Sequence, residues 1–228
     1  LEFERILSAK RIQRYKDAAN GDTRKAMALY RYNLRLSQEM FTIVSCFEVA
    51  LRNAIDSLLV PSLGEDWLKD SVQDNGIFSN GRMNETRKII EKAYNRLNRQ
   101  GNYSHSKLIA EMEFGVWKYM YSSLQYRATG QCLLRAFPNK PRSSAAVQYN
   151  NTYIFNELDK VNSLRNRIAH HEPICFRLHE AEIDTSYIIN EYQKIQTLFS
   201  WMGIDSHSML YGLDHVQSVC AKINSLKV

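Results

Sequence analysis

At 228 residues, with 44% apolar and 24% charged side chains, the chain is long enough to bury a core and too apolar for a disordered or fibrous class. Thirty Lys and Arg against 24 Asp and Glu leave a formal charge of +6. That mild excess suits a polyanion such as RNA, but it is also common in proteins that bind nothing acidic. Cys46, Cys132, Cys175 and Cys220 lie too far apart for a zinc pair or a redox motif, and such scattered thiols fit a reducing compartment.

No stretch approaches the roughly 20 apolar residues that a membrane span needs. No signal-peptide pattern is visible, and the chain starts at Leu1 rather than Met. A cytoplasmic protein that does not engage the membrane is the resulting expectation.

The chain has 9 Gly and 4 Pro, placed between long amphipathic runs. Ser8 can cap a first helix that runs to Asn20-Gly21. Asp22 can cap a long segment reaching Val60, either one helix or two with a break near Leu36-Ser37. Residues 61–83 carry Pro61, Gly64, Asn75, Gly76, Asn80 and Gly81 and read as a loop insert. Asn84 caps a helix that stops at Gly101, and Ser104 or Ser106 starts another with Phe114, Trp117 and Tyr121 on one face. A basic, turn-rich link follows over 138–144, containing Lys140 and Arg142. A helix spans about 151–171, Asp184 caps the next as far as Gly203, and Asp214 caps the last. With no period-2 pattern of useful length, the fold class is all-α. No linker is long enough to separate independent cores, so residues 1–228 read as one domain.

Chemistry concentrates in the run Arg165-Asn166-Arg167-Ile168-Ala169-His170-His171-Glu172-Pro173. Pro173 disfavours helical geometry at Glu172, so both histidines fall in the last turn of a helix or just beyond it. Histidine is the side chain suited to proton transfer near neutral pH. Asn166 and His170 are four apart and share a helix face, whereas Arg165 is five from His170, about 140° around an ideal helix. A solvated basic helix end has the same appearance, so spacing alone decides nothing. A second polar stripe, Ser45, Glu48, Arg52 and Asp56 beside Asn53, recurs at helical spacing inside an apolar run. It reads equally as a solvated i,i+4 face or as part of a site. His105, His179, His207 and His215 show no interpretable pairing and read as surface or locally bonded residues. No cluster has metal-ligand spacing, so neither metal nor cofactor is expected.

The block RNRIAHHEPI at 165–174 resembles the R-x(4–6)-H signature of the HEPN superfamily, in the form of its Abi-like (abortive infection) proteins. ALYRYNLRLSQEMF, FEVALRNAIDSLL and EMEFGVWKYMY resemble further segments of that family, in the same order, and the likeness covers most of residues 8–205. The resemblance implies a HEPN-type helical bundle with additional helices. It also implies a metal-independent endoribonuclease that acts as a homodimer in phage defence. On that mapping Arg165 and His170 are catalytic with Asn166. Glu48, Arg52, Asn53 and His171 support them, and Arg167, Lys140 and Arg142 contact RNA. RNA is the implied substrate, and a regulatory RNA or an antitoxin the implied restraint. The alternative is a non-catalytic RNA-binding module or scaffold. Some relatives have a modifiable Tyr two positions after the His. Here that position is Glu172, which puts that form of neutralisation in doubt.

Overall fold

A computed structural model describes residues 2–227, with side chains from Arg5 onward. Among the described residues it contains twelve α-helices and no strand, so the chain is all-α; its one extended pairing is an isolated bridge between Phe176 and Ile183.

The helices are α1 (Glu2–Leu7), α2 (Ala9–Ala18), α3 (Thr23–Leu63), α4 (Trp67–Asp70), α5 (Asn84–Arg99) and α6 (His105–Glu111). They continue with α7 (Phe114–Tyr119), α8 (Ser123–Ala128), α9 (Asn151–Ala169), α10 (Ser186–Trp201), α11 (Ser206–Met209) and α12 (Val216–Asn224).

α3 runs unbroken for 41 residues. Asp22 starts it, its Oδ1 accepting the amides of Arg24 at 2.9 Å and Lys25 at 3.1 Å. No break occurs at Leu36-Ser37, because Leu36 belongs to one buried stripe with Leu29, Met40, Ile43, Phe47, Leu51, Ile55 and Leu59. The helix also passes Pro61, three residues beyond the expected stop. Proline's fixed φ is helical, although it removes one helical hydrogen bond and its ring crowds the carbonyl four residues earlier. Gly64, at φ +91°, then ends the helix with its amide on Val60 O at 2.9 Å.

Residues 61–83 are not the open insert that their turn residues suggest. They contain α4 and a 3-10 turn (Gly81–Met83), and Trp67, Leu68, Val72 and Phe78 are buried. A Cβ at Gly76 would collide with the Asp70 and Ser71 carbonyls, so the glycine there allows a close backbone approach that packs the segment. Asn84 does not cap α5 but begins it, and Asn80 caps the preceding 3-10 turn through the Arg82 amide. Ser104 caps α6, as expected, but no single helix carries Phe114, Trp117 and Tyr121. Met112 is extended (φ −75°, ψ 129°) and α7 restarts at Phe114; Leu108, Phe114, Trp117 and Tyr121 are all buried. Asp184 and Asp214 bond the first amides of α10 and α12, those of Ser186 and Val216.

The chain forms two compact units, one comprising residues up to 45, 163–197 and 205 onward, the other 46–162 and 198–204. The boundaries fall inside α3, α9 and α10. In the first unit Tyr15 packs edge-on against Tyr30 and Phe176, with ring centres 5.3 and 5.0 Å away. Arg14 lies over the Phe176 ring and donates to the carbonyls of Arg177 and Glu180. Two polar groups of α3 are buried in this unit and both are bonded. Asn33 Oδ1 accepts the Ile174 amide at 2.9 Å, and Glu39 meets Arg35 at 2.7 Å. In the second unit Phe47 packs on Phe114 and Phe199, and Tyr121 on Phe137.

Removing the Asn33 acceptor strands the Ile174 amide in the interior, so Asn33→Ala should cost about 1–3 kcal/mol in urea denaturation. A midpoint indistinguishable from wild type would show the bond to be dispensable. Burial pushes the Cys175 thiol up to about 12 and the Cys220 thiol up to about 11. The thiolate is the reactive form, so at pH 8 alkylation should reach the half-buried Cys46 and Cys132 first, and Cys175 and Cys220 only after denaturation. Peptide mapping of labelled protein checks the order, and native labelling of Cys175 would contradict it.

Candidate active site

α9 begins where Asn150 Oδ1 accepts the Tyr153 amide. Ile154, Leu158, Val161, Leu164 and Ile168 form its buried stripe at spacings of three and four. That register leaves Asn166 and His170 exposed and Arg165 and Arg167 half-buried in the first unit.

The helix ends in a hydrogen-bonded cap. His170 N–H donates to Asn166 O, His171 N–H to Ile168 O and Glu172 N–H to Arg167 O, each at 2.9 Å. The last two bonds, 5→2 and 6→1, define a Schellman motif, in which the residue after the helix adopts the left-handed conformation. Here that residue is His171, at φ +56°. Glycine takes this conformation without penalty, whereas a side chain with a Cβ is strained in it and persists only where its surroundings hold it. Pro173 follows and cannot continue the helix.

Arg167 supplies the hold. Its Nη2 donates to Pro173 O at 3.0 Å and its Nε to Glu172 Oε2 at 3.3 Å. Its guanidinium lies 4.9 Å from the centre of the Tyr187 ring. The main-chain carbonyl of the same residue accepts the Glu172 amide. Arg167, expected among the RNA contacts, therefore has two of its donors engaged on the chain itself. Arg165 is less tied: Nη1 lies 3.4 Å from Asn166 Oδ1. No hydrogen bond joins Arg165 to His170 among the described residues, consistent with their angular separation. A guanidinium and an imidazole displayed in this way can bind a phosphate and exchange a proton.

The other expected site residues belong to the second unit. Glu48 and Arg52 are half-buried on α3 and Asn53 is exposed; Arg52 Nε is buried with no hydrogen-bond partner. Lys140 is half-buried and Arg142 exposed in the 138–144 link.

Two histidines, expected at the surface or bonded locally, instead meet partners far along the chain. His105 Nε2 is 2.7 Å from Asp56 Oδ1, which also accepts Trp67 Nε1–H at 2.7 Å. His215 donates its amide to Glu39 Oε2 at 3.1 Å, with its ring Nδ1 3.4 Å from the same oxygen. Nearby, Asp66 accepts Tyr103 Oη–H at 2.5 Å and Lys69 Nζ–H at 2.7 Å. These bonds to Lys69 and Tyr103 hold the Asp66 carboxyl below its usual range. Asp56 and His105 stand 49 positions apart, so no local pattern announces the pair.

Among the described residues no group of three or more His, Cys, Asp or Glu could hold a metal ion, and no helix is long and apolar enough to cross a membrane. No curated protein and no solved structure matches the chain. A family model described as Abi-like protein matches residues 2–175, well over half the sequence and inclusive of α3, α9 and the capped Arg–His run. The chain belongs to the Abi-like protein family.

Proposed function

We propose that the protein is an RNA-cleaving effector of abortive infection, with Arg165, Asn166 and His170 at its active site. The observation that carries the reading is the end of α9, where an imidazole and a guanidinium stand at a rigid cap, beside a strained His171. In this mechanism the 2′-hydroxyl of RNA attacks the adjacent phosphorus and the 5′-oxygen leaves, so DNA is not a substrate. His170 moves the proton, Arg165 binds the phosphate and stabilises the charge that develops on it, and Asn166 orients Arg165. Cleavage by this route uses the substrate's own nucleophile and leaves a 2′,3′-cyclic phosphate and a 5′-hydroxyl.

Arg165 and His170 do not bond each other, so one copy offers two separated groups rather than a closed pair. A homodimer that brings two motifs together is part of the proposal, as is restraint in the cytoplasm by an antitoxin or a regulatory RNA. Glu48, Arg52, Asn53 and His171 are proposed as supporting groups, and Lys140 and Arg142 as contacts to the RNA backbone. The same separation of Arg165 from His170 favours the second reading, a module that binds RNA without cutting it.

Incubation with total RNA decides between them. Wild type should cleave in the presence of EDTA, and His170→Ala should lose roughly 10²–10⁴-fold in rate, the usual contribution of general acid–base catalysis. Arg165→Ala should be similarly impaired, with the melting temperatures of both variants nearly unchanged. RNA retained without cleavage by wild type would establish the binding module instead, and 5′-phosphate products with a strict Mg²⁺ requirement would refute the mechanism.

Arg167 separates positioning from substrate binding. Two of its donors hold Glu172 and Pro173, so in a positioning role Arg167→Gln should lower kcat by up to about 10²-fold, as misplaced catalytic groups do, with little change in KM. A raised KM with intact kcat, and a shallower salt dependence, would make Arg167 an RNA contact after all.

A further inference from the structure

The second unit holds a groove of about 1000 Å³ that the Arg–His motif does not touch. One wall is a continuous face of α5 and the turn before it, in which Arg82, Thr86, Ile89, Ala93, Arg96 and Gln100 follow at spacings of three and four. The other wall is the end of α6 and the start of α7, with Met112, Gly115, Val116 and Tyr119. Thr86 and Gln125 line it too and are bonded to each other at 3.0 Å. Met83, Ala93, Met112 and Val116 are buried, whereas Ile89 and Tyr119, which also line the groove, are each 47% exposed.

Gly115 gives the groove its meaning. It is the second residue of α7, its φ is not positive, and a Cβ added to it would meet nothing within 4 Å. Neither backbone conformation nor packing within this chain therefore calls for glycine at a helical position where alanine is the better helix former. A glycine facing open space in a groove wall allows the backbone of a second element to approach.

The charges select the occupant. Arg96 pairs with Glu111 and Lys88 with Glu85, which removes two of the lining carboxylates as free acceptors. Arg82, Lys92 and Arg99 line the groove and make no ion pair among the described residues, and Glu113 is the lining carboxylate left without a cation. The free charge is thus three cations to one acid. The interior is aliphatic, with Tyr119 the sole aromatic side chain in the lining. Single-stranded RNA binds on successive aromatic platforms, which this groove lacks. An amphipathic helix binds an aliphatic trough through apolar anchors at i, i+3/i+4 and i+7. α5, at 16 residues, offers a wall of about four turns for it.

We propose that the groove between α5 and α7 is a docking site for an amphipathic helix of a partner protein, which lays an aliphatic stripe over Gly115 and sets flanking carboxylates against Arg82, Lys92 and Arg99. This site is independent of the ribonuclease reading and stands or falls without it.

The test is a display selection of helical peptides of about 16 residues against the full chain, with counter-selection on Gly115→Leu, which puts a bulky side chain where an added Cβ meets nothing within 4 Å. Enriched peptides should carry an aliphatic i, i+3/i+4, i+7 stripe flanked by Glu or Asp. In fluorescence anisotropy they should bind at least about tenfold more weakly to Gly115→Leu, and also to Ile89→Asp and the Lys92→Glu/Arg99→Glu double variant. Gly115→Ala, which adds one methyl, should keep most of the affinity, and circular dichroism should show all variants folded. The proposal is overturned if no helical peptide is enriched, or if binding ignores Gly115→Leu. It is equally overturned if a 12-residue oligouridine occupies the groove, displaces the peptides and loses affinity in Lys92→Glu/Arg99→Glu, since the occupant is then nucleic acid.

Discussion

Burying a helix on several sides removes water from its apolar groups and, with it, from any polar group on the same faces. α3 sets that constraint for both units, each built around its own part of the helix. Each fully buried Leu, Ile or Phe of its stripe contributes about 1.5–3 kcal/mol relative to exposure. The same burial makes an unbonded polar atom costly. The fold responds with partners both near and far along the chain, Ile174 for Asn33, Arg35 and His215 for Glu39, and Trp67 and His105 for Asp56. Ile174 is the residue after Pro173, so the bond to Asn33 also fixes the segment that leaves the capped end of α9.

Helix identity was legible because it rests on local chemistry. Ser8, Asp22 and Ser104 cap where their side chains allow, and periodicity marks α3, α5, α9 and α10 as amphipathic helices. The errors come from tertiary packing. Turn residues over 61–83 suggest an exposed loop, yet the segment is held by Trp67 and Phe78 in the interior, which no propensity encodes. Likewise the extended Met112 splits an aromatic-rich run that periodicity joins. The Arg–His run was visible in the sequence itself, but the bonds that Arg167 makes were not. A basic residue beside Arg165 and His170 looks like an RNA contact in sequence, and the structure adds that two of its donors bond Glu172 and Pro173. The Asp56–His105 pair escaped for the same reason, since 49 residues separate its members.

The cap at the end of α9 joins these levels. A Schellman ending usually takes glycine, and the chain places His171 there instead. Strain of this kind is of order 1–3 kcal/mol and survives when neighbouring contacts over-determine the conformation. Arg167 makes two such contacts through its side chain and a third through its carbonyl. The arrangement keeps two consecutive imidazoles at a helix end, which a glycine cap would reduce to one.

Charge distribution bears on what each surface binds. From Asn151 to Pro173 the chain carries three cations (Lys160, Arg165, Arg167) and three carboxylates (Glu157, Asp159, Glu172), so the motif helix is electrically balanced. From Arg82 to Arg99 it carries six cations and two carboxylates, an excess of +4 within a total of +6. The basic character of the whole chain, the feature that first suggests RNA, therefore concentrates along α5 rather than at the Arg–His run. A polyanion drawn by net charge alone would be steered to the helix whose groove is aliphatic and holds an unfilled glycine. On the proposed reading, RNA binding at the Arg–His run would rest on short-range groups, chiefly Arg165, Asn166 and the 2′-hydroxyl chemistry, and less on the long-range field. The α5 surface combines charge with an apolar trough, and that pairing is more selective for an acid-flanked helix than for a uniformly charged strand.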